Sequence, residues 1–89
     1  MSYPCPCCGY LTRNEEQHGT FGICPVCYWE DDDLQYNNPD FQGGANIESL
    51  NEARVNFKKC GACGPKYVND VRKPLIDEIP FNKKGKRDQ

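Results

Sequence analysis

Large apolar side chains are scarce in this chain. Leucine, isoleucine, valine and phenylalanine number four each, sixteen of 89 residues, about 18%. That lies below the roughly 20% under which a highly charged chain stays unfolded. The net charge is only −2, so disorder throughout is not implied, but a large oily interior is excluded. No apolar run approaches the roughly 18 residues of a membrane-spanning helix. The opening MSYPCPCCGY has neither a basic flank nor an apolar stretch, so no secretory leader is expected and the reading is cytoplasmic. Histidine occurs once, as His18 before Gly19 and Thr20. This rules out a histidine-rich metal site and the His-x-Glu signature of zinc deaminases.

Basic residues are nearly absent from the first part of the chain. Residues 1–52 hold one, Arg13, against nine acids, a net of −8. Residues 53–89 hold ten bases against four acids, a net of +6. A nucleic-acid module would place its basic footprint beside the cysteines, so nucleic acid is not an expected partner. Two accounts of the split are open: the halves attract each other within the fold, or the acidic half faces a basic protein partner.

Cysteine is what the chain has in quantity, seven residues in 89. A domain this small needs a staple, and in a reducing compartment that staple is more often a metal than a disulfide. Cys5-Pro6-Cys7-Cys8-Gly9 and Cys24-Pro25-Val26-Cys27 share one local grammar: two cysteines three apart, with proline after the first. Fifteen residues separate the turns, the spacing of a four-thiolate zinc site. A tight turn with Cys at i and i+3 aims both sulfurs at one centre. Gly9 allows the positive φ such a turn needs, and the prolines restrict the unfolded chain. Cys5, Cys8, Cys24 and Cys27 are therefore the expected ligands of one Zn2+. Disulfides, free structural thiols and a different quartet are the competing readings.

Cys7, inside the first turn, is left as a packed spare thiol. Cys60 and Cys63 form a third Cys-x-x-Cys with three readings: buried small hydrophobes, a contribution to the metal site or a second one, or a redox pair, Cys63 lying just before the candidate second helix where a thiolate is favoured. His18 is read as a solvated loop residue. Glu30-Asp31-Asp32-Asp33 is read as a solvated helix start, with cation binding, partner binding and general-base chemistry as alternatives. Tyr28 and Trp29 are read as core or as a shield for the metal.

The fold class expected is a small metal-stabilised α+β domain. A zinc-ribbon or zinc-knuckle part over residues 3–28 packs on one main helix, with a candidate second short helix after it. Strands are expected at Tyr10–Arg13 and Thr20–Cys24, and an acidic, turn-rich segment at 29–47. The helical part spans 49–73. Ser49 and Glu52 form a capping box, Leu50, Ala53, Phe57 and Cys60 make one apolar stripe, and Gly61 supplies the C-cap. Pro65 opens the second helix and Pro74 ends it. An extended strap follows at 74–81, closing a single domain over 1–81. Residues 82–89, with Lys83, Lys84, Lys86 and Arg87, are expected to be a mobile basic tail.

The segments YPCPCCGYLT, ICPVCYWEDDD, GGAN, SLNEARVNFKKCGAC and VRKP together resemble the small bacterial cysteine-rich CPCC family over residues 3–74. The resemblance implies a cytosolic, zinc-binding, stand-alone protein, with some members in toxin–immunity neighbourhoods. It matches Cys5, Cys8, Cys24 and Cys27 to the ligands and Cys63 to the GAC element, and makes Cys60 an addition. The functional expectation is a structural-zinc module that binds a protein partner, in the manner of an immunity protein or antitoxin. The alternatives are a nucleic-acid-binding ribbon, or a zinc or thiol enzyme with Cys7 or Cys60 outside the metal shell and Glu30 or Asp31 as base.

Overall fold

A computed structural model describes residues 2–80; the expected tail at 82–89 lies outside them. Strand β1 (Tyr3–Pro4) and strand β2 (Leu11–Arg13) form a two-stranded antiparallel sheet, with Tyr3 opposite Arg13 and Pro4 opposite Leu11. The first cysteine turn is the loop between them. The expected second strand at 20–24 is reduced to one bridge between Ile23 and Glu30. Phe21, at φ 61°, leaves the extended region there and interrupts the run. The chain still doubles back: Phe21 N–H donates to Asp31 O, Asp31 N–H to Gly22 O and Cys24 N–H to Trp29 O, at 2.9, 2.9 and 3.0 Å.

Segment 29–47 is less irregular than its composition suggests. Asp32 caps a five-residue helix, α1 (Asp33–Asn37), by accepting from the backbone N–H groups of Leu34 and Gln35. The acidic run is thus a helix start, but only part of it is solvated, because Asp31 and Asp32 are buried. Gln35 is fully buried and organises the loop that follows. Its Nε2 donates to the carbonyls of Phe41, Asn46 and Glu48 at 3.0–3.1 Å. Its Oε1 accepts from the backbone and side-chain N–H groups of Asn46. Asn46 in turn pairs with the backbone N–H and C=O of Glu30. Amide hydrogen bonds hold together a segment whose large apolar side chains, Trp29 apart, stay exposed.

Helix α2 (Leu50–Cys60) carries the complete Ser49–Glu52 capping box, and Gly61 closes it at φ 83°. Leu50 and Ala53 are fully buried, whereas Phe57 is half-buried against Tyr10, with ring centroids 6.2 Å apart. Cys60 is exposed, so the apolar stripe ends one turn early. The expected second helix is only a 3-10 turn, Pro65–Tyr67, preceded by an extended Gly64 that offers no side-chain cap. The strap contains another such turn, Ile76–Glu78, fastened by the two Arg72–Glu78 hydrogen bonds of 2.9 Å.

The core joins these pieces. It consists of Cys5, Cys7, Cys8, Cys24, Val26, Cys27, Trp29, Leu50, Ala53 and Cys63. Six of the ten are cysteine, so apolar burial alone cannot hold the chain together. Among the described residues no ion pair joins the two oppositely charged halves. The ion pairs among the described residues are Arg13–Asp31, His18–Asp31 and Arg72–Glu78, each within one half.

Candidate metal centre

Two turns of matching geometry face each other. In the first, Gly9 N–H donates to Cys5 O and Cys5 N–H to Tyr10 O, both at 2.8 Å. In the second, Tyr28 N–H donates to Cys24 O at 2.8 Å and Cys24 N–H to Trp29 O at 3.0 Å. The residue after each second cysteine is left-handed: Gly9 at φ 80°, Tyr28 at φ 74°. Glycine adopts this freely. Tyrosine does so at a cost of about 1–2 kcal/mol and is held there by stacking on Tyr67, with centroids 4.7 Å apart.

The turns bring the sulfurs of Cys5, Cys8, Cys24 and Cys27 within 4.8 Å of one another, all buried. Cys5 and Cys27 are 3.6 Å apart and Cys8 and Cys24 3.8 Å apart, far beyond the roughly 2.05 Å of a disulfide. A tetrahedron with metal–sulfur bonds of about 2.3 Å has edges of about 3.8 Å. The donor set therefore fits one thiophilic metal ion surrounded tetrahedrally by sulfur.

Electrostatics show why this cluster cannot hold four ordinary thiols at ease. Hydrogen bonding from Cys27 pulls the Cys24 thiol far below its usual range, and Cys5 and Cys8 act in the same direction. Cys24 pushes Cys27 correspondingly up. Without metal the sulfurs must share protons; a divalent cation replaces those protons and satisfies all four. Helix α2 supplies compensating charge, since Arg54 and Lys58 line the cavity beside Cys7 and Cys8. Three later residues bind carbonyls of the turns: Arg54 Nε donates to Pro6 O at 2.9 Å, Cys63 N–H to Cys27 O at 2.7 Å and Arg72 N–H to Pro25 O at 3.1 Å.

Other expected site residues lie elsewhere. Cys7 is buried in the core, as a spare packed thiol would be, and falls outside the four-sulfur cluster. Cys60 and Cys63 part company: Cys60 is exposed and Cys63 fully buried. The Cys63 thiol is pushed up to about 12, by burial first and then by the nearby Cys7. This reverses the expected thiolate-favouring position, because no helix begins there to offset desolvation. His18 is not a solvated loop residue. Its ring stacks on Tyr36 with centroids 3.6 Å apart, and Nδ1 lies 3.7 Å from Asp31 Oδ1. Asp31 is occupied structurally, with Thr20 donating to it through both N–H and hydroxyl. Trp29 is core, and its backbone N–H donates to Cys27 Sγ at 3.5 Å. Thr12, whose hydroxyl is 3.2 Å from Cys24 Sγ, is a contact that sequence reasoning missed. Nothing in LTR marks it until the strand register is known.

No helix among the described residues is long and apolar enough to cross a membrane. A search of curated proteins finds no match to the chain. The model of the cysteine-rich CPCC family matches residues 3–78, a span containing both cysteine turns, α2 and the Arg72–Glu78 clasp. Over that span the sequence, and the four-sulfur cluster it builds, place the chain in the cysteine-rich CPCC family.

Proposed function

We propose that the chain is a structural-zinc protein. Cys5, Cys8, Cys24 and Cys27 would hold one Zn2+ in a zinc-ribbon-like centre, and the ion would take the place of a core too small to stabilise the fold. The observation that carries this reading is the buried four-sulfur cluster at tetrahedral spacing. Structural zinc binds such sites with about 10–16 kcal/mol at pH 7, comparable to the entire stability of a small domain. Four thiolates and one divalent ion take the net charge from −2 to −4.

The work of this stapled domain is, in our reading, to bind a protein in the cytoplasm, an immunity-type partner being one form. Two features support it. The opposite charges of the two halves are not consumed as ion pairs between them among the described residues. Apolar side chains also stand exposed, notably Phe21, Ile47 and Ile76 at 61%, 65% and 71%. Catalysis at the metal is disfavoured, since a catalytic zinc keeps one position open and four sulfurs leave none.

Native mass spectrometry and X-ray absorption of the purified protein test the centre. One zinc per chain with four sulfur neighbours is expected, and near-UV signal should collapse on chelation. A fold indifferent to chelation, or a shell containing oxygen, would refute it. For the partner, affinity capture at low salt should return a stoichiometric protein; its absence would end the binding-module reading.

A further inference from the structure

The four sulfurs are not held alike. Among the described residues, the Cys5 and Cys8 sulfurs meet other sulfurs of the cluster, Cys27 Sγ and Cys24 Sγ respectively. Cys27 receives the backbone N–H of Trp29. Cys24 alone is met by a side-chain hydroxyl, Thr12 Oγ1 at 3.2 Å. A metal-bound thiolate has no proton to give, so there the hydroxyl must be the donor. Thr12 reaches Cys24 because β2 leaves the first turn and passes the second; its backbone is fixed by its own N–H donating to Tyr10 O at 2.9 Å. The β-branched side chain restricts χ1 further.

This edge of the cluster also faces open space. A cavity of about 200 Å³ is lined by Cys5, Cys24 and Thr12, with Ile23 and Trp29 on its walls. Cys24 thus bounds the cavity, and Thr12 sits beside it there. A hydrogen bond to the sulfur removes electron density from it and fixes its direction; losing such outer-shell partners typically costs about 10–100-fold in metal affinity.

We infer that Thr12 is a positioning residue of the metal centre: its hydroxyl holds the Cys24 thiolate in place at the edge facing the cavity, and so sets how fast the metal leaves. The inference rests on the four-sulfur zinc reading above and adds a residue outside the ligand set.

The test uses the full chain loaded with Zn2+ and challenged with the chromogenic chelator 4-(2-pyridylazo)resorcinol, alongside the same protein loaded with Co2+. Thr12→Val keeps the shape and removes the donor; Thr12→Ser keeps the donor. Thr12→Val should release zinc about tenfold faster and move the sulfur-to-cobalt charge-transfer band to lower energy. Thr12→Ser should stay near wild type in both. The band reports the sulfur's electron density, which a merely structural loss of the threonine would leave unmoved. If zinc is bound but Thr12→Val matches wild type in rate and band, or Thr12→Ser fails to restore them, the inference is overturned and the zinc reading stands. If wild type binds no metal, both fall together.

Discussion

Replacing Gln35 with methionine should destabilise the protein severely, although the Gln35 side chain hydrogen-bonds to no cysteine and to no residue of α2. Its side-chain amide is engaged by five groups: the two Nε2 hydrogens are shared among the carbonyls of Phe41, Asn46 and Glu48, and Oε1 accepts twice from Asn46. Methionine fills similar volume and makes none of these hydrogen bonds. Phe41 is exposed, so water can reclaim its carbonyl. Asn46 is buried, and both its carbonyl and its N–H would be left unpaired. At about 1–3 kcal/mol for each buried orphan, less a gain of about 1–2 kcal/mol from burying an apolar side chain, the net loss is about 3 kcal/mol. For a domain of this size that lowers the melting temperature by about 12–24 °C. Thermal unfolding followed by far-UV circular dichroism, at fixed zinc and protein concentration, measures it. A fall of less than about 4 °C would show that loop 38–48 does not depend on this side chain, and the argument from unpaired groups would be wrong. Gln35→Glu gives a second check. Its carboxylate would face carbonyl oxygens, so that variant should be weaker at neutral pH than under mildly acidic conditions.

Other expectations follow from particular residues. Tyr28→Gly should be more stable than Tyr28→Ala by about 1 kcal/mol, the reverse of the usual order, because both lose the Tyr67 stack and only alanine keeps the left-handed strain; equal melting temperatures would contradict the strain. In the metal-loaded protein one thiol of the seven, Cys60, should react rapidly with Ellman's reagent and the others slowly; a Cys60→Ser variant that still shows a fast thiol would count against this. The Cys63 thiol lies above its ordinary value of 9.0, at about 12, so the fold favours the protonated form. Its stabilising effect is complete below about pH 9 and is lost as pH rises towards 12. Cys63→Ala should flatten that alkaline decline in urea midpoints, and an unchanged slope would refute the assignment.

What could be read from the sequence was local. The paired turns, the Ser49–Glu52 box and the Gly61 cap each lie within a few residues, where spacing fixes geometry. The misjudged features depend on distant neighbours. Gln35 is an ordinary polar residue until residues 41–48 wrap around it. His18 is a loop residue until Tyr36 and Asp31 arrive beside it. The strand expected at Thr20–Cys24 failed at a single dihedral, that of Phe21, which no alternation pattern registers. Cys60 satisfied the helical period, yet the core does not reach the last turn of α2. With so few apolar residues, polar side chains carry much of the tertiary structure, and their partners leave no periodic trace.

The order in which the chain supplies its parts has a consequence for synthesis. The four sulfurs lie within the first 27 residues, and the widest pair in contact is separated by 22 positions, a short loop to close. The groups that seat on the turns come later, from Arg54, Cys63 and Arg72. A chain emerging from the ribosome amino end first can therefore bring its four-cysteine part together before α2 has left the ribosome. The remaining segments then dock on a preformed template, and the finished wall would shield a bound ion from competing chelators.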